Sequence, residues 1–328
     1  MKKMISTFMV LAALGSMQAQ NCGSKACDSK QHGKVIVRLF GETGVDLKHY
    51  DGLKTGINRA YLGYQYKFNH DLSAKFLMDF AGGHKNGKYE AFVKNAFLSY
   101  TPGQFSLSAG MIGTFQFDTQ ESYWGHRYIE KSIMDKEKMG SSADLGIKAS
   151  YMFNDFLKGN VAIINGLGYK NVTTSKYMKY ALGFNITPTS NLILKVYGDY
   201  RDRNEAEFKD SKDPVKLKGQ FTASVFAGYK ANSLTVGLEY DRQNNHHYVD
   251  GADMNAVSGY ANYKFNPKWS VFGRVDYTSL DESKKVYALG GVQFNPIKAI
   301  SLSSNLRYTS IKDGDDDLGL FINVDVNI

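Results

Sequence analysis

Two kinds of chemistry are open to the titratable side chains of this chain: catalysis or metal binding at histidine and cysteine, and the steering of ions by charges set at alternate positions. The first has little to build on. His49, His84 and His126 stand in separate stretches, with no serine or carboxylate motif beside them to make a nucleophile–base pair. His246-His247, near Asp250 and Asp253, has the residue types for weak metal binding, with a solvated loop as the ordinary reading. Cys22 and Cys27 can pair in an oxidising compartment, but without further Cys or paired His they spell no metal site. No catalytic residue, metal or cofactor is expected.

The second chemistry is better supplied. Basic Arg38, Arg59, Lys67, Lys75, Lys148, Lys195, Lys264, Arg274 and Arg307 share one parity with acidic Glu42, Asp79, Asp199, Glu239, Asp241, Asp276 and Asp325, in segments whose other parity is apolar. From Asn191 to Arg201, for example, Leu192, Leu194, Val196, Gly198 and Tyr200 alternate with Lys195, Tyr197 and Asp199. A period of two is that of a strand with one apolar face; a helix would have laid these charges on its apolar stripe. If such strands close on themselves, the charges line the inside. Arg38, Arg59, Arg274 and Arg307 then come from neighbouring strands and stand roughly opposite Asp199, Glu239 and Asp241, which sets a field across the interior. The ordinary alternative is a set of solvated, mutually paired charges. Nine bases against seven acids leave a mild positive excess.

The pattern recurs sixteen times, at 34–43, 56–68, 71–80, 90–101, 105–113, 143–153, 156–166, 177–187, 190–201, 217–229, 233–241, 253–265, 268–278, 285–294, 299–309 and 318–327. The connections alternate short and long, the long ones being 44–55, 81–89, 114–142, 167–176, 202–216, 242–252, 279–284 and 310–317. Proline cannot donate to a ladder, and Pro102, Pro188, Pro267 and Pro296 fall in short turns, Pro214 in a long loop, and none inside a strand. On the apolar parity, Tyr66, Phe68, Tyr100, Tyr151, Phe153, Phe184, Tyr229, Tyr263, Phe265, Trp269 and Phe294 lie beside short turns, and Tyr200, Tyr240, Tyr277 and Tyr308 beside long loops. Two aromatic girdles and two unlike rims mark a membrane barrel. The expected fold is all-β: a transmembrane antiparallel β-barrel of about sixteen strands, with short periplasmic turns and long outer loops.

One connection is far longer than the rest. Residues 114–142 carry Asp118, Glu121, Glu130, Asp135 and Glu137 against Arg127, Lys131, Lys136 and Lys138. Phe115, Phe117, Tyr123, Trp124, Tyr128, Ile129, Ile133 and Met134 make a poor composition for a loop in water and a suitable one for a segment packed on a wall. The expectation is a loop folded into the barrel that narrows it, with Asp118, Glu121, Tyr123, Trp124, Arg127, Glu130 and Lys131 at the constriction. The alternative is a loop that caps a neighbouring subunit.

At the N-terminus, Lys2 and Lys3, an apolar run from Met4 to Leu14 and small residues up to Ala19 follow the order of a secretory signal peptide. A signal peptide is expected over 1–19 and an N-terminal tail over 20–33, ahead of a barrel at 34–328. The formal net charge of +8 is dispersed, without a Lys/Arg run, so nucleic acid is not an expected partner.

Tyr123-Trp124-Gly125-His126-Arg127-Tyr128-Ile129-Glu130-Lys131, then Ser142-Ala143-Asp144-Leu145-Gly146, with Asn95 to Tyr100 and Ala162 to Gly166, resembles the phosphate-selective porin O and P family. The resemblance implies a sixteen-stranded, usually homotrimeric diffusion channel in the outer membrane of a Gram-negative bacterium. Its third outer loop, here the one between the fifth and sixth strands, folds inward. Phosphate-selecting members carry an arginine ladder and a lysine ring, and no comparable ladder is written here. The expectation is therefore passive diffusion of small hydrophilic solutes with mild anion preference, the partners being outer-membrane lipid and small hydrophilic or anionic solutes. A structural or adhesive barrel is the alternative, and a barrel enzyme a more distant one.

Overall fold

The computed structural model describes residues 32–50, 52–82, 89–173, 176–202 and 217–328. The expected signal peptide, the tail up to residue 31, Cys22, Cys27, His84 and Pro214 lie outside the described residues.

Sixteen antiparallel strands run around a closed barrel in chain order, and the first pairs with the last. They are β1 (His32–Asp46), β2 (Leu53–Lys67), β3 (Leu72–Gly82), β4 (Tyr89–Tyr100), β5 (Phe105–Gly113), β6 (Ala143–Asn154), β7 (Leu157–Ile164), β8 (Lys179–Thr189), β9 (Leu192–Arg201), β10 (Gln220–Ala231), β11 (Leu234–Asn244), β12 (Met254–Lys264), β13 (Trp269–Leu280), β14 (Ser283–Ile297), β15 (Ile300–Ile311) and β16 (Asp317–Asn327). The expected fold class and strand count are borne out.

Alternation decides which side chains meet lipid. On β9, Leu194, Val196 and Tyr200 are exposed, while Lys195, Tyr197, Asp199 and Arg201 are buried inside. The exposed aromatics collect at the rims as expected, and many touch edge to face. Tyr66 and Phe68 lie 5.0 Å apart, Tyr151 and Phe153 5.2 Å, Tyr263 and Phe265 5.3 Å. Closure leaves no free strand edge, so every ladder finds its partner within the barrel.

Two local expectations need correction, and one strand carries a bulge that alternation does not show. Pro188 and Pro296 fall within β8 and β14, at bulged strand ends where the register shifts between Ile186 and Thr189 and between Phe294 and Ile297, so neither ring interrupts a regular ladder. The supposedly long connection 279–284 is a two-residue turn, Asp281-Glu282, because β13 and β14 stay paired out to Leu280 and Ser283. Asp281 takes the left-handed conformation such a turn needs, with φ of 51°. The bulge is on β4. Leu77 pairs with Asn95 and Met78 with Val93, so Lys94 is an extra, bulged residue that alternation alone would have pointed at lipid.

The two rims make a testable topology. With Cys22 and Cys27 replaced, cysteines introduced at Tyr50 or Lys312 in the long-loop rim should label in intact cells with an impermeant thiol reagent, and one at Asn266 should not. The opposite pattern would turn the barrel over.

Candidate functional site

The site is built from residues 114–142 and the inner wall. After β5 the chain forms α1 (Asp118–Trp124), which Gly125 ends in the left-handed conformation (φ 72°), and then a single turn, α2 (Ile133–Lys136). α1 packs on β10, β11 and β12 and α2 on β12, against inward-facing side chains. Glycines on the wall make room for the loop's rings. A Cβ on Gly183 would stand 3.0 Å from the ring of Phe115, and one on Gly228 2.6 Å from that of Tyr123.

Trp124 is fully buried at the centre of this packing. Its ring meets Tyr260 at 5.4 Å and Phe272 at 6.1 Å, lies 5.3 Å from the Arg274 guanidinium, and its indole N–H donates to the Glu130 carbonyl at 2.9 Å. Polar links fix the register of loop on wall. The Tyr128 hydroxyl donates to Gln293 (2.8 Å), the Tyr260 hydroxyl to the Gln120 carbonyl (2.9 Å), and the Asn262 amide to the Trp124 carbonyl (2.9 Å). His126 Nε2 sits 3.0 Å from Asn262 Oδ1, and burial holds this imidazole down to about 4, so near neutrality it is an uncharged packing and hydrogen-bonding group. Burial also pushes Glu130 up, but Lys136 and Arg274 outweigh it and the net direction is down, leaving an ionised carboxylate inside the barrel.

Lys195 of β9 is the hub of the attachment. Its ammonium is buried and donates to the Phe115 and Gln116 carbonyls, to Asp118 at 2.7 Å and to Gln120 Oε1 at 3.1 Å. Lys195→Met would orphan buried carbonyls, at about 1–3 kcal/mol for each unsatisfied group. The expected result is faster proteolytic nicking between residues 116 and 138 while the barrel keeps its resistance to unfolding in detergent. Unchanged nicking would mean that the apolar contacts alone hold the loop.

The structure sorts the expected wall charges into three groups. Most are paired close by. Arg38 meets Asp325 at 2.7 Å, Arg59 meets Asp79 at 3.5 Å, Arg274 meets Asp276 at 2.7 Å, Arg307 meets Glu42 at 2.7 Å, and Lys179 meets Asp199 at 3.1 Å. Within the loop, Arg127 bridges Glu121 and Asp135, both at 2.8 Å, Lys131 reaches Asp135 at 4.0 Å, and Lys136 lies 3.6 Å from Glu130. The arginines are thus neutralised on their own side of the barrel, in place of the expected field between opposite walls. A second group is cationic and has no carboxylate in ion-pair range among the described residues: Lys67, Lys75, Lys94 and Lys170, with Lys148 donating to the Gly113 carbonyl. The third is the pair Glu239 and Asp241.

Lys94 and Lys170 escaped the sequence reading. The bulge turns Lys94 inward, where its ammonium lies 3.3 Å from the Tyr61 hydroxyl and 4.8 Å from that ring. Lys170, in the β7–β8 connection, sits 4.9 Å from the ring of Phe92. No sequence signal marks either position, because the first depends on a bulge and the second on how a loop folds.

The loop packs on the wall from β8 round to β16, with Tyr128 also touching Phe40 of β1, and space remains beside it. A cavity of about 330 Å³ lies between residues 127–131 and the β1–β3 wall, lined by Arg59, Arg127, Lys131, Lys170 and Arg307 as well as Glu42 and Glu130. Glu130 and Arg307 also line a second cavity of about 240 Å³ that reaches Asp46, Lys54 and Asp317 towards the long-loop rim. Among the described residues one group has metal-ligand spacing, Asp46, His49 and Asp317, with His49 Nδ1 3.2 and 3.6 Å from the two carboxylates; a solvent-facing hydrogen bond between His49 and Asp46 accounts for it. His246 and His247 gather no such group, since Asp253 is taken by Arg242 and Asn244 and Asp250 faces Lys218.

A closed barrel with a lipid-facing exterior, aromatic rims and a polar interior partly filled by one inserted loop defines a porin-type channel of the outer membrane. Residues 139–314, more than half of the chain, match the family described as "Putative beta-barrel porin-2, OmpL-like", and the chain belongs to that family. No curated protein matches it. Solved structures share the fold at low identity. OmpF of Salmonella typhi, in complex with daunomycin, is 10% identical with a TM-score of 0.72, covering 93% of this chain and 100% of that one. An anion-selective porin from Comamonas acidovorans is 10% identical with a TM-score of 0.69, over 91% and 100%. In-vitro folded OmpT of Vibrio cholerae, in a trimer form, is 14% identical with a TM-score of 0.65, over 91% and 99%. The family is one of channels, and its porin character, rather than the phosphate-selective branch of the resemblance, is what the match supports.

Proposed function

We propose that the protein is a passive diffusion channel for small hydrophilic solutes with a mild preference for anions, in which residues 114–142 set the aperture. The observation that carries this reading is the lining of the space beside the loop: five bases against two acids around about 330 Å³. Arg59 and Arg307 there are balanced by Asp79 and Glu42, so the attraction falls to Lys170, Lys131 and, deeper on the same wall, Lys94 and Lys75. Positive side chains in a narrow, low-dielectric passage raise the local anion concentration. A scattered set of lysines, most of them on one wall, suits general anions better than one tightly coordinated phosphate. Assembly as a homotrimer is part of the proposal. A planar-bilayer recording of the purified protein under a KCl gradient tests it. The reversal potential should have the sign of chloride preference, and current should be blocked only weakly by phosphate. A cation-signed potential would overturn the anion preference, and no channel activity at all would favour the alternative of a structural or adhesive barrel.

A further inference from the structure

Glu239 and Asp241 stand out among the wall carboxylates. Both are buried, at 2% and 0% exposure, and none of their four oxygens has a hydrogen-bond partner among the described residues. The other buried wall acids are all compensated. Asp79, Asp199, Asp276 and Asp325 have Arg59, Lys179, Arg274 and Arg38, and Asp144 accepts from the backbone N–H groups of Leu145, Gly166 and Gly168. Lys195 spends its donors on the loop, and Arg274 spends its own on Asp276 and the Lys131 carbonyl. Two carboxylates with no cation in ion-pair range among the described residues, two residues apart on the inner face of one strand, are too costly to leave bare as charges.

We infer that Glu239 and Asp241 hold a divalent cation of the calcium type behind α1. One such ion balances both charges. Four carboxylate oxygens are the hard donors that calcium takes, and it completes six to eight ligands with neutral oxygens and water. Neutral oxygens are at hand: Ser224 is the register partner of Asp241 and Ser258 that of Glu239, and both are buried. The Ser258 hydroxyl proton is engaged with Asp276, which leaves its lone pairs free. The ion would also tie the loop to the wall, because Gln120 of α1 donates to Ser224 and accepts from Lys195.

The test uses the full protein in detergent, stripped with chelator and titrated with Ca²⁺ alone by calorimetry and by thermal unfolding. One saturable site per chain is expected, with a hundredfold excess over Kd raising the folding equilibrium about 100-fold. In Glu239→Gln/Asp241→Asn, shapes are kept and both charges are removed. That variant should lose the site and unfold at a midpoint independent of calcium, while Asp317→Asn, which alters the exposed group at the rim, should bind as the unaltered protein does. If the double variant does not fold, the titration of the unaltered protein against Asp317→Asn still decides. Three outcomes overturn the inference: no saturable binding, binding that survives in the double variant, or binding lost in Asp317→Asn. So does stability that ignores calcium and rises on acidification, since the pair would then be sharing a proton.

Discussion

Replacing Gln116–Lys138 by a short Gly-Ser bridge should raise single-channel conductance several-fold and admit sugars too large for the unaltered channel. A sixteen-stranded barrel is wide enough to hold an aqueous channel, and in this chain the loop occupies much of that width. Its buried side chains meet wall residues from β8 to β16, including Met254, Ala256, Tyr260, Phe272 and Gln293. Removing it would leave those residues facing water, and it takes away the ion pairs that close on Lys195, Asp276 and Lys285. The loss is one of docking energy rather than of barrel hydrogen bonds, so the sheet and its resistance to detergent should persist. The competing idea was a loop that caps a neighbouring subunit. That idea predicts loss of the oligomer on unheated gels with conductance per pore unchanged, and this combination would sink the aperture reading.

The second large effect concerns charge. Lys75→Gln, Lys94→Gln and Lys170→Gln together should bring the channel close to non-selective, because these lysines have no carboxylate within ion-pair distance among the described residues. Each exposed unit charge acts on a passing ion with about 1 kcal/mol at 4 Å in water. Losing even that much in total changes the chloride-to-potassium permeability ratio by roughly fivefold. The effect should shrink in concentrated salt, where the Debye length falls from about 10 Å at 0.1 M to about 3 Å at 1 M. Arg38→Gln/Asp325→Asn, which removes a neutral pair, should leave the reversal potential where it was. If the pair variant shifts selectivity and the triple lysine variant does not, the permeating ions follow a different wall.

How far the sequence leads is clear from these residues. A period of two fixes which side of a strand is wet, so alternation alone places Lys195, Asp199, Glu239 and Asp241 inside. It says nothing about which wall a loop will cover. Those four therefore read as lumen-facing charges, the three acids as one pole of a field, whereas all four are buried, and Lys75 and Lys170 keep access to the interior on the far side. Pairing is set by register across neighbouring strands, and that is why the arginine-to-acid field dissolved into local pairs such as Arg38 with Asp325 and Arg307 with Glu42. Lys94 was lost for a third reason. A bulge changes parity without leaving a mark in composition. The loop's inward turn, by contrast, was legible, because eight large apolar residues in one outer connection have nowhere else to go.

The burial of Trp124 also orders events during biogenesis. Its partners Tyr260 and Phe272 lie more than a hundred residues later in the chain, as do Met254 and Ala256, on which Ile133 and Met134 rest. Closing so long a chain segment is slow, and the pocket that receives the indole does not exist until β10 to β13 have joined the sheet. An assembling chain therefore carries an uncovered tryptophan and its apolar neighbours through most of its insertion. The other tryptophan, Trp269, sits in the lipid-facing girdle and reports a different moment. In a Trp269→Phe chain, the remaining fluorescence should stay unchanged while the sheet forms in lipid and shift only afterwards, when the loop enters a finished barrel.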